Sequence, residues 1–230
     1  MELLHSSDQF AVFDDFLGAE AFQQMQAYLG SENFTYVRSR RWHTAFKLLD
    51  GDPLVGSSVL SDHPAPPENV LVHPCGRGID VVATAIKAAL PDLAPWVGKQ
   101  GEAWEFFTCT SYIYPMGSGL SWHKDAKNRA GSYVLYLHPE WQPKWGAELL
   151  LSGTPEWHRG TGDEQPQRAT GTPGGIGQFV TPYPNRLVVM KAGVMHAVKK
   201  VDVTAGDHAR YSIAGFFQTA AEPAPQDRAS

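Results

Sequence analysis

The feature that most restricts the fold of this chain is a change of hydrophobic period near residue 100. Before it, apolar residues recur every three to four positions. Phe22, Met25 and Leu29 fall at i, i+3 and i+7 with Gly30 as a stop, and Ile79, Val82, Ala83, Ile86 and Leu90 share one face up to Pro91. Each set predicts an amphipathic helix, and Pro91 is expected to end the second. Beyond it, Trp104, Phe106, Thr108, Thr110, Tyr112 and Tyr114 alternate with Glu105, Phe107, Cys109, Ser111 and Ile113. Strict alternation predicts a strand, because successive side chains point to opposite faces. Further strands read at 132–138, 146–151, 177–181, 185–191, 194–201 and 208–218, and one earlier from Gln9 to Phe16. Many short strands divided by Gly and Pro turns build a sandwich or a barrel. The reading is a mainly β chain with N-terminal supporting helices.

Composition narrows the class. A chain of 230 residues buries roughly 70% of its unfolded surface and needs no staples. Hydrophobic residues at 43% against 19% charged exclude a disordered or collagenous chain. A net charge of −5 argues against a nucleic-acid or membrane-surface partner. No apolar run approaches the ~18 residues of a membrane span. The start, Met1 to His5, has neither the cationic nor the apolar region of a signal peptide. Cys75 and Cys109 make no disulfide framework, so the expected compartment is the reducing cytoplasm. Residues 1–219 read as one domain, with 1–99 as helical support and N-terminal strands, 100–219 as the β core and 220–230 as a flexible tail. The sequence leaves the oligomeric state open.

Two segments stand apart. Residues 152–185 hold seven Gly and five Pro in 34 positions, with Trp157 and His158 among them. A connection this long inside a compact domain is functional or a surface insertion; the expectation is a lid over the site, with Trp157 and His158 touching substrate. Arg38, Arg40 and Arg41 beside Trp42 are either a solvated charge run or contacts to an anionic substrate, Arg41 being the candidate.

The chemistry centres on His123-Lys124-Asp125. On a strand, residues i and i+2 face the same side, so an imidazole and a carboxylate can grip one metal ion. Two His and one carboxylate on one face of an octahedral metal leave open positions, the arrangement of non-haem Fe(II) oxygenases. Alone the match carries little, since nine His and thirteen Asp in 230 residues give about half such a pair by chance. Its surroundings carry the weight. Ile113-Tyr114-Pro115-Met116-Gly117 precedes it, Tyr133-Val134-Leu135-Tyr136-Leu137 and Gly146-Ala147-Glu148-Leu149 follow, then come His196 and, fourteen residues on, Arg210-Tyr211-Ser212. By themselves His196 could be a packed core histidine, Arg210 a surface residue and Tyr136 barrel filler. His138-Pro139-Glu140 also has metal-like spacing, but Pro139 marks a turn at a strand end.

In order and spacing these motifs, over residues 104–218, resemble the prolyl 4-hydroxylase-like branch of the Fe(II)- and 2-oxoglutarate-dependent dioxygenases. The resemblance implies a double-stranded β-helix, the cupin-like jelly roll. It implies His123, Asp125 and His196 as iron ligands, and Fe(II), 2-oxoglutarate and O2 as cofactors. It implies Arg210, with Ser212, on the distal carboxylate of 2-oxoglutarate, Tyr136 on the same carboxylate, and Tyr114 lining the pocket. A guanidinium suits that task because its planar fork pairs bidentately with a carboxylate. Two departures stand out: Ala147 occupies a position where many relatives have Gly, and the gap from Tyr114 to His123 is one residue shorter. The implied activity is hydroxylation of an unactivated C–H bond in an amino-acid-like, peptidyl or natural-product substrate, with release of succinate and CO2. Desaturation, cyclisation and epoxidation are variants of the same chemistry; halogenation is disfavoured because Asp125 fills the position chloride would need. A cupin-like metal enzyme or binding module without 2-oxoglutarate is the other class, and it leaves Arg210 with Ser212 unexplained.

Overall fold

The computed structural model describes residues 1–37, 46–152 and 177–219. In chain order these form β1 (Glu2–Ser6), β2 (Phe10–Asp14), α1 (Ala19–Ser31), β3 (Thr35–Tyr36), β4 (Leu54–Ser61), β5 (Leu71–Val72), α2 (Asp80–Val97) and β6 (Phe106–Tyr114). There follow β7 (Leu120–His123), β8 (Arg129–Tyr136), β9 (Leu149–Ser152), β10 (Gly177–Val180), β11 (Leu187–Lys191), β12 (His196–Val198) and β13 (Arg210–Gln218). The large sheet runs β1-β2-β11-β8-β13-β6-β4-β3, with β5 parallel to β4 at its far end. The small sheet runs β10-β9-β12-β7. The two sheets are the halves of a double-stranded β-helix.

Alternation along the strands sorts side chains into two cores. Tyr133 and Leu135 of β8, Leu187 and Val189 of β11, and Ile213 and Phe217 of β13 face the helices, where Met25 and Leu29 of α1 and Val82, Ile86, Leu93 and Val97 of α2 cover them. Val134 and Tyr136, and Val188 and Met190, face the barrel interior with Leu149, Leu151 and Val198 from the small sheet. The central strands are thus covered on both faces, which is why neither face of β13 reads as wet in the sequence. Gly215 marks the tightest approach: a Cβ there would lie 1.9 Å from the Thr108 carbonyl oxygen and 2.4 Å from the Tyr133 ring.

Several boundaries differ from the sequence reading. α2 does not end at Pro91 but passes through Pro91 and Pro95 to Val97. A proline inside a helix costs about 3 kcal/mol through a lost hydrogen bond and a ring clash. Burying Leu93 and Val97, both essentially inaccessible, returns roughly 1.5–3 kcal/mol each, of the same order as the cost of the two prolines. α1 likewise runs through Gly30 to Ser31. The sequence does not predict β4 because Gly56, Ser57 and Ser58 interrupt its apolar pattern; a Cβ at Gly56 would stand 2.4 Å from Ser111 Oγ, so that hydroxyl would have to move. The strands predicted from the sequence also do not include β1, which pairs with β2, or β5, which pairs with β4. Ala147 adopts a left-handed φ of 59°, the conformation that glycine takes most readily, so the departure noted in the sequence is a real backbone cost. Among the described residues no helix is long and apolar enough to cross a membrane.

Candidate metal and cosubstrate site

His123 closes β7 and His196 opens β12, and the two are direct cross-strand partners. Their ring centroids are 4.2 Å apart. Each ring is held by its own backbone: His123 Nδ1–H donates to the Ser121 carbonyl at 2.8 Å and His196 Nδ1–H to the Val194 carbonyl at 2.9 Å. With Nδ1 occupied, the lone pair sits on Nε2, the tautomer a metal ligand needs. Burial and the neighbouring His196 push the His123 imidazole down to about 4, so at neutral pH it is neutral and its lone pair is free for a metal.

Asp125 reaches the same place by another route than the one expected. β7 ends at His123, so Asp125 is not on a strand face; it lies in the loop beyond. Its carboxylate is aimed by Arg129, whose Nη1 donates to Oδ1 at 3.0 Å. One ligand atom from each of His123, Asp125 and His196 lies within 4.8 Å of the others. Two imidazole nitrogens and one carboxylate oxygen at that separation fit a divalent iron ion bound on one face.

The triad opens into a cavity of about 570 Å³ that also contains Arg210, Ser212 and Tyr114. Arg210 starts β13, opposite Tyr114 of β6, while Ser212 pairs with Tyr136 of β8. Arg210 is 2% exposed, and its guanidinium lies 4.8 and 4.9 Å from the Tyr114 and Tyr136 rings. Among the described residues it has no carboxylate partner, and its Nε and the Tyr136 hydroxyl lack a well-formed hydrogen bond. An unpaired buried cation costs several kcal/mol, so the pocket is built to receive an anion, and the fork matches a carboxylate. Burial raises both phenols, Tyr114 to about 12, with the guanidinium opposing it; both stay protonated and can donate. Val134, Leu149, Met190 and Val198 supply an apolar wall.

His138 stays outside this cluster. It is buried against Trp141, its rings 4.7 Å apart, and Nε2–H donates to the Pro182 carbonyl. Trp157, His158 and Arg41 lie outside the described residues, as do most of the 152–185 stretch and the 220–230 tail. The site also contains residues the sequence reading did not single out. Arg129 and Phe216 line the cavity with Tyr112, Phe46 and Ser132. Asp50, nearly fully buried, accepts from Ser121 Oγ at 2.5 Å and from the Lys47 amide at 2.7 Å, anchoring the segment that holds His123. The i,i+4 spacing of Asp125 and Arg129 was the only sequence signal for any of these.

Two imidazoles and one carboxylate in a double-stranded β-helix share a cavity with a guanidinium that has no carboxylate partner among the described residues, a donor set that suits a metal-dependent oxygenase. Residues 107–218 match the model of the 2OG-Fe(II) oxygenase superfamily. Over that span, which carries the whole site, the chain is similar to that superfamily, and the match together with the triad supports a 2-oxoglutarate-dependent dioxygenase with Fe(II), 2-oxoglutarate and O2 as cofactors. Its fold is similar to that of a Pseudomonas putida prolyl-4-hydroxylase, at 20% identity over 91% of this chain and 92% of that one, TM-score 0.58. It is similar to a Trichoplax adhaerens prolyl hydroxylase solved with a hypoxia inducible factor oxygen degradation domain peptide fragment, at 18% identity over 92% and 84%, TM-score 0.61. It is also similar to SnoN, a non-heme alpha ketoglutarate dependent epimerase from nogalamycin biosynthesis, at 14% identity over 92% and 78%, TM-score 0.57. At these identities the likeness is one of fold. No curated protein matches the sequence.

Proposed function

We propose that this dioxygenase hydroxylates an unactivated C–H bond of an amino-acid-like, peptidyl or natural-product substrate. In this reading His123, Asp125 and His196 hold the iron, and Arg210, Ser212, Tyr136 and Tyr114 hold 2-oxoglutarate. The observation that carries it is Arg210: a buried guanidinium with no carboxylate partner among the described residues, in the same cavity as the triad. Bound Fe(II) with 2-oxoglutarate and O2 supplies the oxidising power, one oxygen atom going to the substrate as R–OH and the other to succinate, with loss of CO2. The chain does the rest. Arg210 presents a bidentate fork to the distal carboxylate, and Ser212, two residues on and on the same face, offers a hydroxyl beside it. Tyr136, packed on Arg210, holds its proton and can donate to that carboxylate. The Val134, Leu149, Met190 and Val198 wall keeps water from the reacting end.

Phe46, Tyr112, Lys124 and Phe216 line the remainder of the cavity and give a substrate apolar contacts beside a cation. The peptide fragment held by the Trichoplax neighbour supports the peptidyl choice, and the epimerase among the neighbours supports a different outcome from the same centre. Substrate pose decides between hydroxylation and desaturation, cyclisation or epoxidation. Residues 1–219 act as one catalytic domain, a reading supported by the core that α1 and α2 share with β8, β11 and β13. Cys75 and Cys109, both free thiols, support a cytoplasmic setting. The test is a screen of free amino acids and short peptides for substrate-stimulated succinate release. Hydroxylation predicts a product heavier by one oxygen atom; a product lighter by two hydrogens would replace it with desaturation or cyclisation.

A further inference from the structure

Asp125 differs from its two partners in how it is held. The imidazoles are fixed by strands and backbone carbonyls, whereas the carboxylate stands in a loop. We propose that Arg129 is a positioning residue that engages one oxygen of the Asp125 carboxylate, leaving the other alone to reach the metal. The inference rests on the assignment of Asp125 as an iron ligand. Arg129 Nη1 donates to Oδ1 at 3.0 Å, and the carboxylate side chain is only 8% exposed. Arg129 is itself locked at both ends. It is the first residue of β8 and pairs with Gln218 of β13, and its amide donates to the Ala126 carbonyl, closing the turn that directly follows Asp125. Its guanidinium lies over the ring of Phe216 of β13, with Cζ 3.4 Å from the ring centroid. Rigidity thus passes from the large sheet through Phe216 and Arg129 to Asp125.

The consequence is coordination number. A triad on one face of an octahedral ion leaves three positions. A carboxylate free to bind through both oxygens would take one of them, and a two-point cosubstrate with O2 needs all three. With Oδ1 engaged by Arg129, only Oδ2 is available. Lysine could supply the charge, but it can neither stack on a ring nor present a fork.

Co(II) binding under anaerobic conditions tests this without turnover. Arg129→Met in the full chain is expected to weaken Co(II) binding about 10- to 100-fold, the usual cost of losing a partner that orients a ligand. The visible bands should also shift as the coordination number changes. Arg129→Lys should recover affinity only in part. Wild-type affinity and spectrum in Arg129→Met would overturn the proposal. Should that variant not fold, Phe216→Leu, which removes the stack and keeps the charge, is expected to weaken Co(II) several-fold, and wild-type binding there would overturn it equally. Asp125→Ala separates the two readings: if it leaves Co(II) binding intact, the ligand assignment itself fails. If it abolishes binding while Arg129→Met binds normally, only the role of Arg129 fails.

Discussion

Replacing Arg210 by alanine should separate cosubstrate binding from folding. Arg210 is 2% exposed, and its guanidinium has no carboxylate partner among the described residues and two tyrosine rings within 4.9 Å. A charge-assisted bond is worth about 1.5–3 kcal/mol, so losing the fork should weaken 2-oxoglutarate binding about 10- to 150-fold. The protein without cosubstrate should respond differently. Truncating a large core side chain ordinarily costs about 3–5 kcal/mol. Here the lost ring contacts, about 0.5–2 kcal/mol each, are offset by removal of a buried unpaired cation. Thermal melts with a redox-inert divalent metal and graded 2-oxoglutarate read both effects. Cosubstrate at 100 times its Kd adds about 2.7 kcal/mol of stability, and after a 50-fold loss of affinity the same concentration adds only about 0.6 kcal/mol. Arg210→Lys should fall between. Alanine binding 2-oxoglutarate within twofold of wild type would show that another group holds the carboxylate.

Three further outcomes follow from the geometry. His123→Ala and His196→Ala should each abolish Fe(II)-dependent succinate release while circular dichroism stays native, and full activity in either would refute the ligand assignment. Gly215→Ala should block folding or cost more than 4 kcal/mol by denaturant titration, since its Cβ would stand 1.9 Å from a backbone oxygen; a near-neutral effect would mean that β6 and β13 are further apart than described. His138 is pushed down to about 4, chiefly by burial and then by Arg210. Because its folded value lies below the unfolded value near 6.5, the linked stability is complete above pH 6.5 and is lost as pH falls toward 4. The total is about 3 kcal/mol, and His138→Gln should flatten that slope in denaturant titrations.

What the sequence disclosed depended on how local the determining force was. Alternation along residues 104–114 and 208–218 is a property of each strand, so both strands were legible; the placement of Tyr114, Arg210 and Ser212 at the site came from the family resemblance. The end of α2 was not, because Pro91 is a local stop signal and the force that overrides it is the burial of Leu93 and Val97 against strands far away in sequence. β4 was hidden because the small residues along its pairing with β6 dilute the apolar pattern. In the site, spacing singled out His123 with Asp125, while His196 was singled out by the family resemblance. Asp125 was found for a partly wrong reason: the loop and Arg129, not a shared strand face, bring it to the imidazoles. Phe216 could not be recognised at all, since it matters only because β13 lies beside β8.

The most direct test of the account is an anaerobic titration of the purified protein with Fe(II) and 2-oxoglutarate, followed in the visible spectrum. The account predicts a metal-to-ligand charge-transfer band that needs both components. The band should be absent from His123→Ala and His196→Ala, and Arg210→Ala should need far more 2-oxoglutarate to form it. A band of wild-type strength in either histidine variant, or none in the wild-type protein with both components saturating, would contradict it.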